Sequence, residues 1–132
     1  MIKKDLDIKD VSAPALAYLG DCVIELMVRR RLVESGISSS KSLNARALEY
    51  VRAPAQSEAM KNIIDLLTEE EAAYFRRGRN IGHTNTPKSA TVGQYRAATG
   101  MEALFGYLCL TGQNERAEEL FDKAYQKPEI ED

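Results

Sequence analysis

Two apolar stretches of this chain each hold a glycine and an acid that helix stability and burial both disfavour. The first reads Leu16-Ala17-Tyr18-Leu19-Gly20-Asp21-Cys22-Val23-Ile24-Glu25-Leu26, the second Met101-Glu102-Ala103-Leu104-Phe105-Gly106-Tyr107-Leu108-Cys109-Leu110. Glycine inside a helix costs about 1 kcal/mol relative to alanine. A carboxylate beside an apolar stripe costs free energy unless it is paired, hydrogen-bonded or bound to a metal. On a helical wheel Asp21 falls near Ile24 and Val28, and Glu102 near Ala98, Phe105 and Cys109. A close backbone approach between the two helices accounts for both glycines, and it brings Asp21 and Glu102 together.

The rest of the pattern is helical too. Leu16, Leu19, Val23, Leu26 and Met27 predict a long helix from about Ser12 to Val33, stopped at Gly36. A second helix starts near Lys41, and Pro54 ends it and opens a third. Thr68-Glu69-Glu70-Glu71 fits a capping box for a short fourth helix ending near Gly78. Periodicity lapses from about Asn80 to Ala90, and this is the one substantial loop. A long apolar helix follows and stops at Gly112, and Asn114 is expected to cap the last one. No segment alternates like a strand, so the expected class is all-α. At 132 residues the chain is expected to form one domain over 1–132, with an acidic tail frayed after about residue 127. No apolar run reaches the ~18 residues of a membrane span, and no signal peptide opens the sequence, so a cytoplasmic location is expected. Cys22 and Cys109 lack metal-type spacing and read as buried thiols in a reducing compartment.

Charge sets a condition on function. The net charge is −2, whereas nucleic-acid binders owe much of their affinity to neutralised phosphates. A chain like this binds nucleic acid through local basic clusters, or through a dimer that pools two patches. Arg76, Arg77 and Arg79 lead into the loop, and Lys88, Tyr95 and Arg96 flank its other side. Each acid, taken alone, is as well explained by a solvated helix flank or by an ion pair with Arg29, Arg77 or Arg96. Arg29-Arg30-Arg31 reads equally as a solvated helix end or a phosphate patch. Glu25, one turn after Asp21, reads as a helix-face or intersubunit contact, and His83 is alone in a polar loop.

Taken in order, the motifs resemble those of ribonuclease III. Leu19-Gly20-Asp21-Cys22-Val23-Ile24-Glu25-Leu26 is similar to that family's signature helix, and Glu102-Ala103-Leu104-Phe105-Gly106 to its second acidic motif. Ala15 to Asp21, Arg76-Arg77-Gly78-Arg79-Asn80, Thr86-Pro87-Lys88 and Tyr95-Arg96 resemble the Mini-ribonuclease III branch, which lacks the double-stranded-RNA-binding domain. Two acids usual in the wider family are absent, and Ala17 and Thr99 stand in their places.

The resemblance implies the all-helical ribonuclease III endonuclease fold, acting as a symmetric homodimer. It implies a magnesium-dependent endoribonuclease (manganese substituting) that leaves 5′-phosphate and 3′-hydroxyl ends on double-stranded RNA. Asp21 and Glu102 would be the catalytic metal ligands. Thr99, one turn before Glu102, would orient a metal-bound water, while Arg76, Arg77, Arg79, Lys88, Tyr95 and Arg96 would contact RNA. The branch implies precursor large-subunit ribosomal RNA as substrate, with a ribosomal protein as a partner that presents it. The competing reading is a catalytically silent double-stranded-RNA-binding protein on the same fold, and retention of both Asp21 and Glu102 argues against it. A helical interaction module with coincidental acids would show neither metal dependence nor duplex affinity.

Overall fold

A computed structural model describes residues 6–82 and 90–126, which contain six α-helices and no strand. Helix α1 spans Ala13–Glu34, α2 Ser40–Val51, α3 Ala53–Ile63, α4 Glu69–Arg79, α5 Val92–Leu110 and α6 Asn114–Ala124. Local chemistry sets most of the boundaries. The Ser12 hydroxyl accepts from the Ala15 amide at 3.1 Å and caps α1, and Ser39 does the same for α2. Pro54 sits in the first turn of α3, where its missing N–H leaves nothing unsatisfied. Thr68 and Glu71 form the expected capping box, and Thr91 with Gln94 forms a second one at α5. The cap of α6 is Gln113 rather than Asn114. Its carbonyl accepts the first helical bond, from Ala117 at 3.0 Å, so Asn114 is already helical.

Helix α5 is the centre of the molecule. Every residue from Ala98 to Leu108 is buried except Glu102, which is half-buried, and α1, α3, α4 and α6 all pack on this helix. Its approach to α1 is set by two glycines. A Cβ on Gly20 would overlap the Glu102 carbonyl oxygen and come within 2.9 Å of the Gly106 nitrogen, and a Cβ on Gly106 would overlap the Leu16 carbonyl oxygen. The backbones therefore touch where the sequence places them. A second such crossing joins α4 to α5: a Cβ on Gly78 would lie 2.5 Å from that of Ala103, and one on Gly100 2.6 Å from the Phe75 ring.

The buried side of α1 is Leu16, Ala17, Gly20, Ile24, Val28 and Leu32. Of the residues that suggested its apolar stripe, Leu26 instead faces outward, 66% exposed. Apolar residues occupy both sides of this helix, so periodicity alone does not choose the inner one. The cysteines follow the same correction: Cys22 is exposed on the outer side of α1 and Cys109 is half-buried.

Two polar clamps tie the ends of the chain's helices together. Glu71 accepts from the Thr68 amide and also forms a two-pronged ion pair with Arg116 of α6, both contacts at 2.9 Å. The Arg116 bonds hold its carboxyl below the usual range despite burial. Arg31 pairs with Asp122 at 2.9 Å, donates to the Tyr125 carbonyl, and lies 4.8 Å over the Phe121 ring. Arg31 is thus an internal anchor, while Arg29 and Arg30 pair with Glu25 and Glu34 one turn away on the same helix.

Candidate active site

The α1–α5 crossing carries the two acids with it. Asp21 directly follows Gly20 on α1 and is exposed; Glu102 supplies the very carbonyl that Gly20 touches, and its side chain is half-buried. The two carboxyls interact directly. Burial, the Asp21 charge and a hydrogen bond to Asp21 together push the Glu102 carboxyl up to about 8. Glu102 therefore keeps its proton more readily than a free carboxyl does.

Among the described residues no lysine or arginine forms an ion pair with either acid. The three arginines that the sequence offered are accounted for in part: Arg29 is bonded to Glu25 at 3.0 Å, and Arg77 to the Val11 carbonyl at 2.8 Å. Glu25 makes the helix-face contact expected of it. No group of three or more potential ligands occurs among the described residues, so the donor set here is these two carboxylates. Two like charges held together without a cation are costly, and a small divalent ion is what such oxygen donors accept, with water filling its other positions. The residues present fit that ion.

The remaining sequence candidates are spread around this pair. Thr99 is buried, and its hydroxyl donates to the Tyr95 carbonyl at 3.0 Å, inside the helix. Arg76, Arg79 and Arg96 are exposed, and Arg79 lies 5.7 Å from the Phe75 ring centre. Arg77 is half-buried, packs 5.1 Å over Tyr74 and ties the segment before α1 to α4. Tyr95 is half-buried. Lys88 and His83 lie outside the described residues. The α4–α5 glycine crossing brings the last turn of α4, with Arg76 and Arg79, against α5 one turn beyond Arg96. Sequence reasoning passed over this crossing, although Gly78 and Gly100 in helical stretches were the available signal.

Known proteins bear on this geometry as follows. The Ribonuclease III domain matches residues 14–113. A Mini-ribonuclease 3 of Symbiobacterium thermophilum is 47% identical over 109 residues, covering 83% of this chain and 84% of its own length. One from Enterococcus faecalis is 42% identical over 123 residues, covering 92% and 93%. A crystal structure of a protein from Fusobacterium nucleatum superposes with a TM-score of 0.79 at 34% identity, over 88% of this chain and 93% of that one. The fold and its acid pair define a ribonuclease III domain. The chain belongs to the ribonuclease III family of endoribonucleases, in its Mini-ribonuclease 3 branch.

Proposed function

We propose that this protein cleaves double-stranded RNA with a divalent cation, magnesium by preference, held by Asp21 and Glu102. The observation that carries the reading is the carboxyl pair brought together at the α1–α5 glycine crossing, with no ion-pair partner for either acid among the described residues. Bound there, the cation would polarise the scissile phosphate and lower the pKa of a water molecule. The protein's own part is positional. The glycine crossing fixes the separation of the two acids that would hold the ion, and Thr99 stands one turn away. Arg76, Arg79 and Arg96 are exposed cations suited to phosphate and 2′-hydroxyl contacts, which read duplex RNA by shape. Arg77 and Tyr95 are further proposed RNA contacts, with Arg77 also serving as a tie to Val11, and Lys88 is proposed as one from the sequence alone. Membership of the Mini-ribonuclease 3 branch favours a cytoplasmic role on precursor large-subunit ribosomal RNA, 5′-phosphate and 3′-hydroxyl products, and a ribosomal protein that presents the substrate.

The experiment is cleavage of a labelled RNA duplex in magnesium by the wild type, Asp21→Asn and Glu102→Gln. Each variant is expected to lose at least a hundredfold in rate while keeping its helical circular dichroism. A wild type that binds duplexes but cuts none would instead leave a silent RNA-binding protein.

We also propose that the active form is a homodimer. On the outer side of α1, Tyr18 is 86% and Leu26 66% exposed, beside Cys22 and Val33. An adjoining groove of about 630 Å³ between α1, α5 and α6 is lined by Val23, Met27, Cys109 and Phe121 together with charged residues such as Arg30, Glu34 and Glu118. Exposed apolar side chains grouped on one helix face mark an interaction site. A second copy meeting the first across a two-fold axis would cover it and pool two sets of arginines. Leu26→Glu is expected to shift the protein from dimer to monomer in sedimentation velocity. A wild type that sediments as a monomer at tens of micromolar would overturn the dimer.

A further inference from the structure

The elbow between α2 and α3 gathers polar groups that have no partner. Gln56 is only 3% exposed, yet no described residue hydrogen-bonds its carboxamide. Buried polar groups are nearly always paired, because an unpaired one forfeits its bonds to water. The helix that carries Gln56 is open in the same turn. Its N-cap is Arg52, whose side chain makes no capping bond, whereas a Ser or Thr hydroxyl caps α1, α2, α4 and α5. Pro54 has no N–H, and the Gln56 amide already bonds the Arg52 carbonyl at 2.9 Å. That leaves the Ala53 and Ala55 amides without an acceptor among the described residues. Helix side chains lean toward the N-terminus, and residues three or four apart share a face. Gln56 therefore leans back over Ala53 and Arg52. Burial falls outward along that line, from Gln56 through half-buried Ala53 to exposed Arg52, which forms no ion pair among the described residues.

We propose that this elbow binds a phosphate group. Two main-chain N–H groups at the positive end of the α3 dipole, the Arg52 guanidinium and the Gln56 amide are all donors, and phosphate oxygens accept from each of them. A cation is repelled by Arg52 and the dipole, and a water molecule brings no charge to answer them. The group comes either from an RNA backbone or from free phosphate. The place of the elbow suits the first. The Tyr50 carbonyl, two residues before Arg52, accepts from the Tyr125 hydroxyl at 2.8 Å. That hydroxyl lies 4.0 Å from the sulfur of Met101, so the elbow is tied to the stretch of α5 that holds Glu102. Neither α2 nor α3 carries Arg76, Arg79 or Arg96, so a duplex would gain a separate hold. The assignment to RNA rests on the proposed cleavage of duplexes, whereas the phosphate site itself does not.

The test is titration of the whole isotope-labelled protein with inorganic phosphate, replacing chloride at constant ionic strength and followed by amide nuclear magnetic resonance. The Ala53 and Ala55 signals are expected to shift and saturate. Arg52→Gln is expected to weaken that binding severalfold and Gln56→Leu about tenfold, the scale of a hydrogen bond to a charged group. Lys123→Gln, at an exposed cation on α6, is expected to leave it unchanged. Gln56→Leu removes an unpartnered buried amide and should melt no lower than wild type in chloride. Where it does not fold, Arg52→Gln carries the comparison. Duplex binding in chelator then identifies the source. Arg52→Gln should reduce the slope of log affinity against log salt by roughly one if the phosphate is that of RNA. An unchanged slope, with the phosphate response intact in wild type, gives the site to the free ion. A wild type that binds no duplex overturns the RNA reading and leaves the phosphate site to the titration. Amides at positions 53 and 55 that ignore phosphate in wild type, or a response that both variants keep in full, overturn the site.

Discussion

Gly20→Ala is expected to destabilise the protein by about 4 kcal/mol, above the usual cost of overpacking, because its added Cβ makes the tightest contact of any described glycine. Overpacking in a core typically costs ~1–3 kcal/mol because side chains rearrange around the intruding atoms. At Gly20 the intruding Cβ meets no side chain that can swing away. It meets the Glu102 carbonyl and the Gly106 amide, both part of a regular helix. Relief requires α1 and α5 to separate, which opens the contact at the centre of the core. For a domain stable by roughly 5–15 kcal/mol, much of the margin disappears. Urea unfolding followed by circular dichroism measures it, with Gly93→Ala as the control. The Cβ added at Gly93 would have only the Thr91 hydroxyl nearby, at 3.9 Å, so that variant should be neutral or slightly stabilised. Equal stabilities for the two alanine variants would refute the close crossing.

Glu102→Gln is expected to do the opposite for the metal-free protein. In the folded state the Glu102 carboxyl is pushed up to about 8, whereas the unfolded chain releases its proton near the ordinary value of 4.5. The sign follows from linkage. Stability is at its fullest below the unfolded pKa, falls as pH rises between the two values, and the loss is complete above the folded one. The penalty is on the order of 3 kcal/mol at pH 9, after discounting for the carboxyl's partial contact with solvent. An amide carries no such charge. The variant should therefore unfold at higher urea than wild type at pH 9 in chelator, and the gap should close by pH 4. Magnesium should raise the melting temperature of the wild type and leave that of the variant nearly unchanged. A wild type whose stability is flat from pH 5 to 9 would show that the two carboxyls are not held together.

What the sequence made legible was whatever local chemistry determines. Ser12, Pro54, Thr68 and Glu71 act within four residues of themselves, and their helix boundaries were readable for that reason. Thr91 and Gln94 carry the same capping signature at the start of α5, directly after the stretch where periodicity lapses. Gly20 and Gly106 were informative because a glycine in an apolar helix needs a reason, and the close approach supplies it. The inner side of α1 was harder to read. Leu26 and Cys22 fit an apolar stripe as well as Ile24 and Val28 do, and only the position of α5 decides between them. Partners distant in sequence were out of reach altogether. Nothing near Glu71 announces Arg116, and nothing near Arg31 announces Tyr125. The acid pair was legible from its neighbours, but the raised Glu102 pKa depends on a burial that no single segment encodes.

One consequence of the α1–α5 crossing concerns when, rather than where, the chemistry exists. Asp21 and Glu102 are 81 positions apart (102 − 21), and they meet only through a non-local contact of the kind that forms late and slowly during folding. The same contact closes the core. A nascent or misfolded chain can build every one of its local helices and still possess no paired acids. If the pair acts as proposed, catalytic competence is withheld until synthesis has passed α5 and the two long helices have docked, and an incomplete copy of the protein poses no threat to the RNA around it.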